Sequence, residues 1–424
     1  MTAGAFAGVA GTGLAAAGTA AAWHWLARRP LPQTKGTIEL PGLAGRVTVR
    51  RDRWGVPHVE AERLEDLFFA QGFCHGQDRL WQMDFYRRVV RGRVSEMAGA
   101  DGLPVDRLIL TLGIRRVAEA EAATLDPVLL SQLERFCAGV NAAAAQAKAR
   151  PFEMRLLGLE WQPWSPVDIL SLGKLLAFGL STNWERELVR ADMLRELGPE
   201  LTARLDPTYP ADNPIVTQEA WNGDGLSIVA QIDAVRAKLG LAAEASGSNN
   251  WAVTGSRSTS GTPLVAGDPH LPPSMPGIWY EASLRQGDRF VRGASMPGMP
   301  GIYMGQNNDV AWTITNVMGD VQDLFVERVE RDAYLFEDEW LPIRTEREEI
   351  PVKGAAPVGS RSAAPTTARS STRRSAPTRP SRWPCAGRRS TNRPPSSACS
   401  SCWRSTPARR WWRASRATPH RPRT

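Results

Sequence analysis

The residues best suited to chemistry in this chain gather around one serine. Gly247-Ser248-Asn249-Asn250-Trp251-Ala252-Val253 places a hydroxyl directly after a glycine and ahead of a strand-like run. A serine hydroxyl is a weak nucleophile until a base takes its proton. The chain has only five His and no Gly-x-Ser-x-Gly elbow, so it offers little for a Ser-His-Asp arrangement. A glycine before the serine permits another route. Ser248 Oγ can attack the Gly247 carbonyl, which a glycine leaves uncrowded, and an N→O acyl shift then gives an ester that water hydrolyses. The serine left at the new N-terminus would carry its own base, an α-amine with an ordinary pKa of roughly 7.7–8. By itself, Gly-Ser-Asn-Asn also describes a turn.

Positioning such a serine needs strands and helices around it, and both can be read. Gly36 to Glu60 alternates apolar and polar residues in two short pieces, Thr37–Leu40 and Val47–Arg50. Leu64 to Ala98 carries apolar residues at helical spacing, with Trp81 and Phe85 four apart. Helical patterns recur over Val117–Ala147 and Val167–Leu197. Strand-like runs return at Asn250–Val253, Pro263–Ala266, Ile278–Leu284 and Val310–Thr315. Helices first and strands later predict an α+β fold. No repeat at solenoid spacing is present.

The ends differ from this body. The 424 residues carry 52 Lys+Arg against 44 Asp+Glu, a formal net charge of +8. Sixteen of the Arg lie in 355–424, which has no Lys, Asp or Glu, so 36 basic and 44 acidic residues remain in 1–354. The body is mildly acidic. The Arg-rich end holds no Leu, Ile, Phe, Tyr or Met and cannot offset its ordering entropy by burial. It reads either as a basic nucleic-acid-binding tail with interleaved Trp, or as out-of-frame translation of a GC-rich gene. The abrupt break after Ile350-Pro351-Val352 favours the second. At the other end, Thr2 to Ala27 has no formal charge and weak apolarity and is followed by Arg28 and Arg29, as in an imperfect signal or anchor. Five Cys exclude a disulfide scaffold, and Cys74 and Cys137 sit in helical patterns where a buried thiol is ordinary.

Several landmarks occur in order. Asp52-Arg53-Trp54-Gly55-Val56-Pro57-His58 precedes Ala70-Gln71-Gly72-Phe73-Cys74-His75-Gly76-Gln77-Asp78-Arg79-Leu80-Trp81-Gln82-Met83, then Gly92-Arg93 and Glu96-Met97-Ala98-Gly99. Leu156-Leu157-Gly158 and Trp161-Gln162-Pro163-Trp164-Ser165-Pro166-Val167-Asp168 follow. With Gly247-Ser248-Asn249-Asn250-Trp251, this series resembles the penicillin acylase (penicillin amidase) family of N-terminal nucleophile hydrolases over about residues 37–353. The resemblance implies an α+β protein with the αββα sandwich of those hydrolases, incomplete here, and a precursor that cuts itself into an α- and a β-chain.

On that resemblance, Gly247-Ser248 is the processing site and Ser248 the nucleophile. His270, in Gly267-Asp268-Pro269-His270, stands where relatives carry Gln or His beside the nucleophile. The backbone N–H of Asn316, with Val317 second, would help form the oxyanion hole. Asp320, Asp323, the Gln322 carbonyl and Glu187 (or its neighbour Glu185) would bind a structural calcium ion, which hard oxygen ligands suit. No organic cofactor is implied. The expected organisation is a leader over 1–36, an α-chain-like region over 37–225, a spacer over 226–247, the start of a β-chain over 248–353 and an aberrant tail over 354–424.

The implied activity is hydrolysis of linear amide C–N bonds, in β-lactam side chains or N-acyl amides. The implied partners are a small-molecule amide and the sister chain of an α/β heterodimer, with no nucleic acid. The location would be periplasmic, extracellular or membrane-anchored. A family Asn some 240 residues after the nucleophile supplies the second oxyanion donor, which would fall beyond Thr424. An inactive fragment of such an enzyme is therefore the competing expectation, and a nucleic-acid binder acting through the basic tail is the third.

Overall fold

The computed structural model describes residues 19, 23–180, 184–206, 229–231, 247–271, 273–316, 322, 324, 327–336 and 338–365. Within them the chain is α+β. Strands β1 (Val47–Arg51) and β2 (Pro57–Ala61) lead into helix α1 (Leu64–Val90). Helices α2 (Leu103–Leu112), α3 (Ile114–Ala122), α4 (Pro127–Gln146), α5 (Phe152–Leu157), α6 (Pro166–Leu180) and α7 (Trp184–Leu205) follow. Ten strands come next: β3 (Gly247–Val253), β4 (Leu264–His270), β5 (Tyr280–Gln286), β6 (Arg289–Ser295), β7 (Met304–Asn307), β8 (Ala311–Trp312), β9 (Val329–Glu330), β10 (Ala333–Phe336), β11 (Glu339–Ile350) and β12 (Val358–Pro365). They form three ladders, ordered β1-β2-β5-β6-β7-β8, β12-β11-β10-β9 and β3-β4. Among the described residues only the β2–β5 pairing is parallel, so the N-terminal hairpin is stitched to strands more than 200 residues later.

The helical predictions hold in place but split where capping chemistry requires it. The run expected over 117–147 breaks at Asp126, whose carboxylate accepts from the Val128 and Leu129 amides while Pro127 opens α4. The long helix expected to reach Ala98 stops at Val90, and a single turn, Ser95–Ala98, resumes beyond Gly92. Ile38 and Leu40 alternate as in a strand but form no ladder, packing instead against Phe69 and Phe73. Helices α2 and α5 and strands β6, β7 and β9–β12 lack a reading from the sequence.

Helix α1 is the centre of the molecule. Gly72 and Gly76 face Gly139 and Ala143 of α4, and the backbones nearly touch: a Cβ on Gly139 would lie 1.8 Å from the Phe69 carbonyl oxygen, and one on Gly72 2.0 Å from that of Phe136. The small residues let the two helices approach closely enough to bury Leu67, Phe69, Phe136 and Val140 almost completely. The charged groups that α1 buries are paired. Asp84, fully buried, pairs with both Arg87 and Arg88, and Arg91 reaches Asp168 at 2.7 Å. His75 accepts from the Gly298 amide at Nδ1 (3.3 Å), which leaves Nε2 to donate to Ser295 Oγ at 3.2 Å. Burial pushes its pKa down to about 3, so the imidazole stays neutral and ties α1 to the sheet. Burial likewise pushes the Cys74 thiol up to about 12, consistent with an inert packing cysteine.

The break expected after residue 353 falls inside a hairpin. Strand β12 pairs with β11 from Ile350↔Val358 to Ile343↔Pro365, so the ladder runs on to Pro365. It is an edge strand, held by the main-chain groups that face its longer partner. Most of the uncharged N-terminal segment and everything after 365 lie outside the described residues. Among the described residues, no helix is long and apolar enough to cross a membrane.

Candidate active site

Ser248 is carried by the β3–β4 hairpin, which pairs antiparallel with Gly247 opposite His270, Ser248 opposite Pro269 and Asn250 opposite Gly267. The Ser248 hydroxyl donates to the Gly247 carbonyl oxygen at 2.6 Å. That contact places the hydroxyl alongside the Gly247–Ser248 peptide bond. Side chains alternate between the two faces of a strand, and directly opposed residues share a face. Ser248 and Asn250 therefore lie on one face, and Gly247, Asn249, Asp268 and His270 on the other.

The face of Ser248 meets the chain that leaves β8. Asn250 Nδ2 donates to Thr315 Oγ1 at 3.4 Å, and Gly267 abuts the Thr313 side chain. Thr313 and Thr315 alternate with the exposed Ile314, so both hydroxyl side chains turn to the hairpin. Asn316 comes next, anchored from its Nδ2 to the Leu180 carbonyl at the end of α6, 2.6 Å away. The expected oxyanion segment is thus strung between the β3–β4 hairpin and a helix terminus. Val317 lies outside the described residues. Thr313 and Thr315 pack against the hairpin and were not singled out in the sequence, where their spacing of two was the available signal.

His270 lies beside Gly247: its Nδ1 would be 3.4 Å from a Cβ on Gly247, and its Nε2 is 2.9 Å from Asp268 Oδ2. The register places it on the Gly247 side of the hairpin, across the strand from the Ser248 side chain. Asp268, two residues before it, is its partner and was not anticipated. Both side chains are substantially open to solvent.

The expected cation site is described in part. Glu187 of α7 accepts from the Leu324 amide through Oε2 at 2.8 Å, which brings its carboxylate to the loop that carries Gln322. Its neighbour Glu185 is buried within the helical region instead. Asp320 and Asp323 lie outside the described residues. Among the described residues no group of three or more His, Cys, Asp or Glu is gathered as a metal site.

These elements define an α+β protein in which a strand-borne serine is hydrogen-bonded to its own preceding carbonyl. Residues 46–375 match the penicillin amidase family, and the chain belongs to that family. It is 34% identical over 357 residues to an acyl-homoserine lactone acylase, QuiP, of Pseudomonas aeruginosa, covering 80% of this chain and 42% of that protein. It is also 34% identical over 338 residues to the penicillin acylase 2 proenzyme of Pseudomonas sp. strain SE83, covering 77% of this chain and 43% of that one. The chain thus spans about two fifths of the length of these relatives. A thermostable penicillin G acylase from Alcaligenes faecalis superposes with a TM-score of 0.35 and 23% identity, over 41% of this chain and 97% of that chain.

Proposed function

We propose that this chain is an acylase that hydrolyses linear amide C–N bonds through an acyl-enzyme on Ser248, after cutting itself between Gly247 and Ser248. The observation that carries the reading is the 2.6 Å contact between Ser248 Oγ and the Gly247 carbonyl, in a chain of the penicillin amidase family. In the first step Oγ bonds to the Gly247 carbonyl carbon, the C–N bond breaks, and the proton passes to the departing amine of Ser248. Water then cleaves the ester. The freed α-amine takes the Oγ proton when a substrate amide is attacked, and the Asn316 N–H stabilises the oxyanion.

His270, held by Asp268 beside Gly247, orients the processing bond. In the same reading Asp320, Asp323, the Gln322 carbonyl and Glu187 would hold a calcium ion, which would supply structural charge between α7 and the loop after Asn316. The strands belong to an αββα sandwich, and the substrates are N-acyl amides; the relatives are named for acyl-homoserine lactone and for penicillin.

The test is acyl-enzyme trapping. The chain is mixed with an activated acyl ester and digested, and the acyl mass increment is mapped. An adduct on Ser248 that is lost in Ser248→Ala supports the reading; acylation elsewhere, or none, contradicts it.

A further inference from the structure

The contact between β4 and the segment leaving β8 is unusually close at one point. A Cβ on Gly267 would sit 1.5 Å from Thr313 Oγ1, 2.5 Å from its Cβ and 3.0 Å from its Cγ2, so the threonine side chain occupies the space that any other residue at 267 would fill. The Thr313 hydroxyl is buried and, among the described residues, has no hydrogen-bond partner. The seat is therefore one of shape and not of hydrogen bonding. Gly267 is opposite Asn250 in the hairpin, and Asn250 bonds Thr315 on the same face. One glycine thus sets how near Thr313–Asn316 can lie to the face that carries Ser248.

We propose that Gly267 is a positioning residue for self-cleavage: its missing side chain is the seat of Thr313, and this seat holds the Asn316 backbone over the Ser248 face of the hairpin. The inference rests on the proposed function, because it assigns Gly267 a role in the Gly247–Ser248 cleavage. A single methyl at 267 would push the two segments apart by about an ångström or more, and a displacement of that size costs about 100-fold in rate.

The experiment compares the full 424-residue chain with Gly267→Ala, Thr313→Gly, Thr313→Val and the double variant Gly267→Ala/Thr313→Gly. Intact mass follows the rate of cleavage before Ser248, hydrogen exchange follows the amides of 313–316, and thermal unfolding follows the fold. Gly267→Ala is expected to cleave about 100-fold more slowly and to exchange faster at 313–316 without a change in the unfolding of α1 and α4. Thr313→Val, which keeps the shape and drops the hydroxyl, should cleave like the parent. The double variant returns a methyl group to the emptied seat and should recover most of the rate and the protection.

Parent-like cleavage in Gly267→Ala, or unchanged exchange at 313–316, overturns the proposal while leaving the proposed function intact. Should Gly267→Ala fail to fold, Thr313→Gly decides, since it empties the seat without a clash: slowed cleavage supports the role and parent-like cleavage overturns it. A parent that never cleaves overturns the proposed function, and the positioning role with it.

Discussion

The α1–α4 pair and the β3–β4 hairpin are built in opposite ways. The helices meet through Gly72, Gly76 and Gly139, cover Phe69, Phe136 and Val140, and engage each buried charge of the Asp84 network. The hairpin that carries Ser248 leaves Trp251, Leu264 and Val265 exposed and is held by its own ladder and by Thr313 and Thr315. Burial is concentrated in the helical scaffold, whereas the proposed chemistry falls on largely exposed strands. Substitutions in the two regions should therefore separate cleanly, with scaffold changes altering folding and hairpin changes altering reaction.

The largest effect on folding is expected at Asp84. Removing this carboxylate in Asp84→Ala leaves Arg87 and Arg88 buried without their shared partner, and urea unfolding should lose about 3–5 kcal/mol. Gly139→Val comes next. Its side chain must enter space held by the Phe69 carbonyl, and overpacking of this kind costs about 1–3 kcal/mol, readable in the same titration. A scaffold that tolerated both would not be the rigid half of the comparison.

The third prediction concerns pH. His75 has a folded pKa of about 3, against 6.5 for the unfolded chain, so unfolding takes up a proton between those values. Stability from this group is present above pH 6.5 and falls as the pH is lowered towards 3, by about 1.4 kcal/mol per pH unit. His75→Gln should show a shallower decline than the parent over that window in parallel denaturation curves. The smallest effect is expected in the hairpin. Trp251→Ser removes a side chain that is 55% exposed and should change stability by no more than about 0.5 kcal/mol.

What was legible in the sequence follows the same division. Helices with sustained apolar spacing, such as α1 and α4, could be placed because burial repeats every turn. The hairpin could be placed because Leu264-Val265-Ala266 and Asn250-Trp251-Ala252-Val253 are apolar runs bounded by turn residues. The Gly72/Gly139 approach and the Gly267–Thr313 seat were hidden, since both are made by backbone meeting residues far away in the chain. Strand β12 was hidden for a related reason: Val358-Gly359-Ser360-Arg361-Ser362 has scant apolar content and takes its structure from β11. The candidate site residues were read as a set of ordered landmarks, but which face of the hairpin each occupies depends on the register, and one residue of slip would exchange Ser248 with Gly247.

The central claim is that Ser248 is poised to cut its own preceding bond. Intact mass spectrometry of the purified chain beside Ser248→Ala tests it most directly. The account predicts two fragments dividing between Gly247 and Ser248 in the parent and a single uncut chain in the variant. A single uncut species in both, or the same division in both, would contradict it.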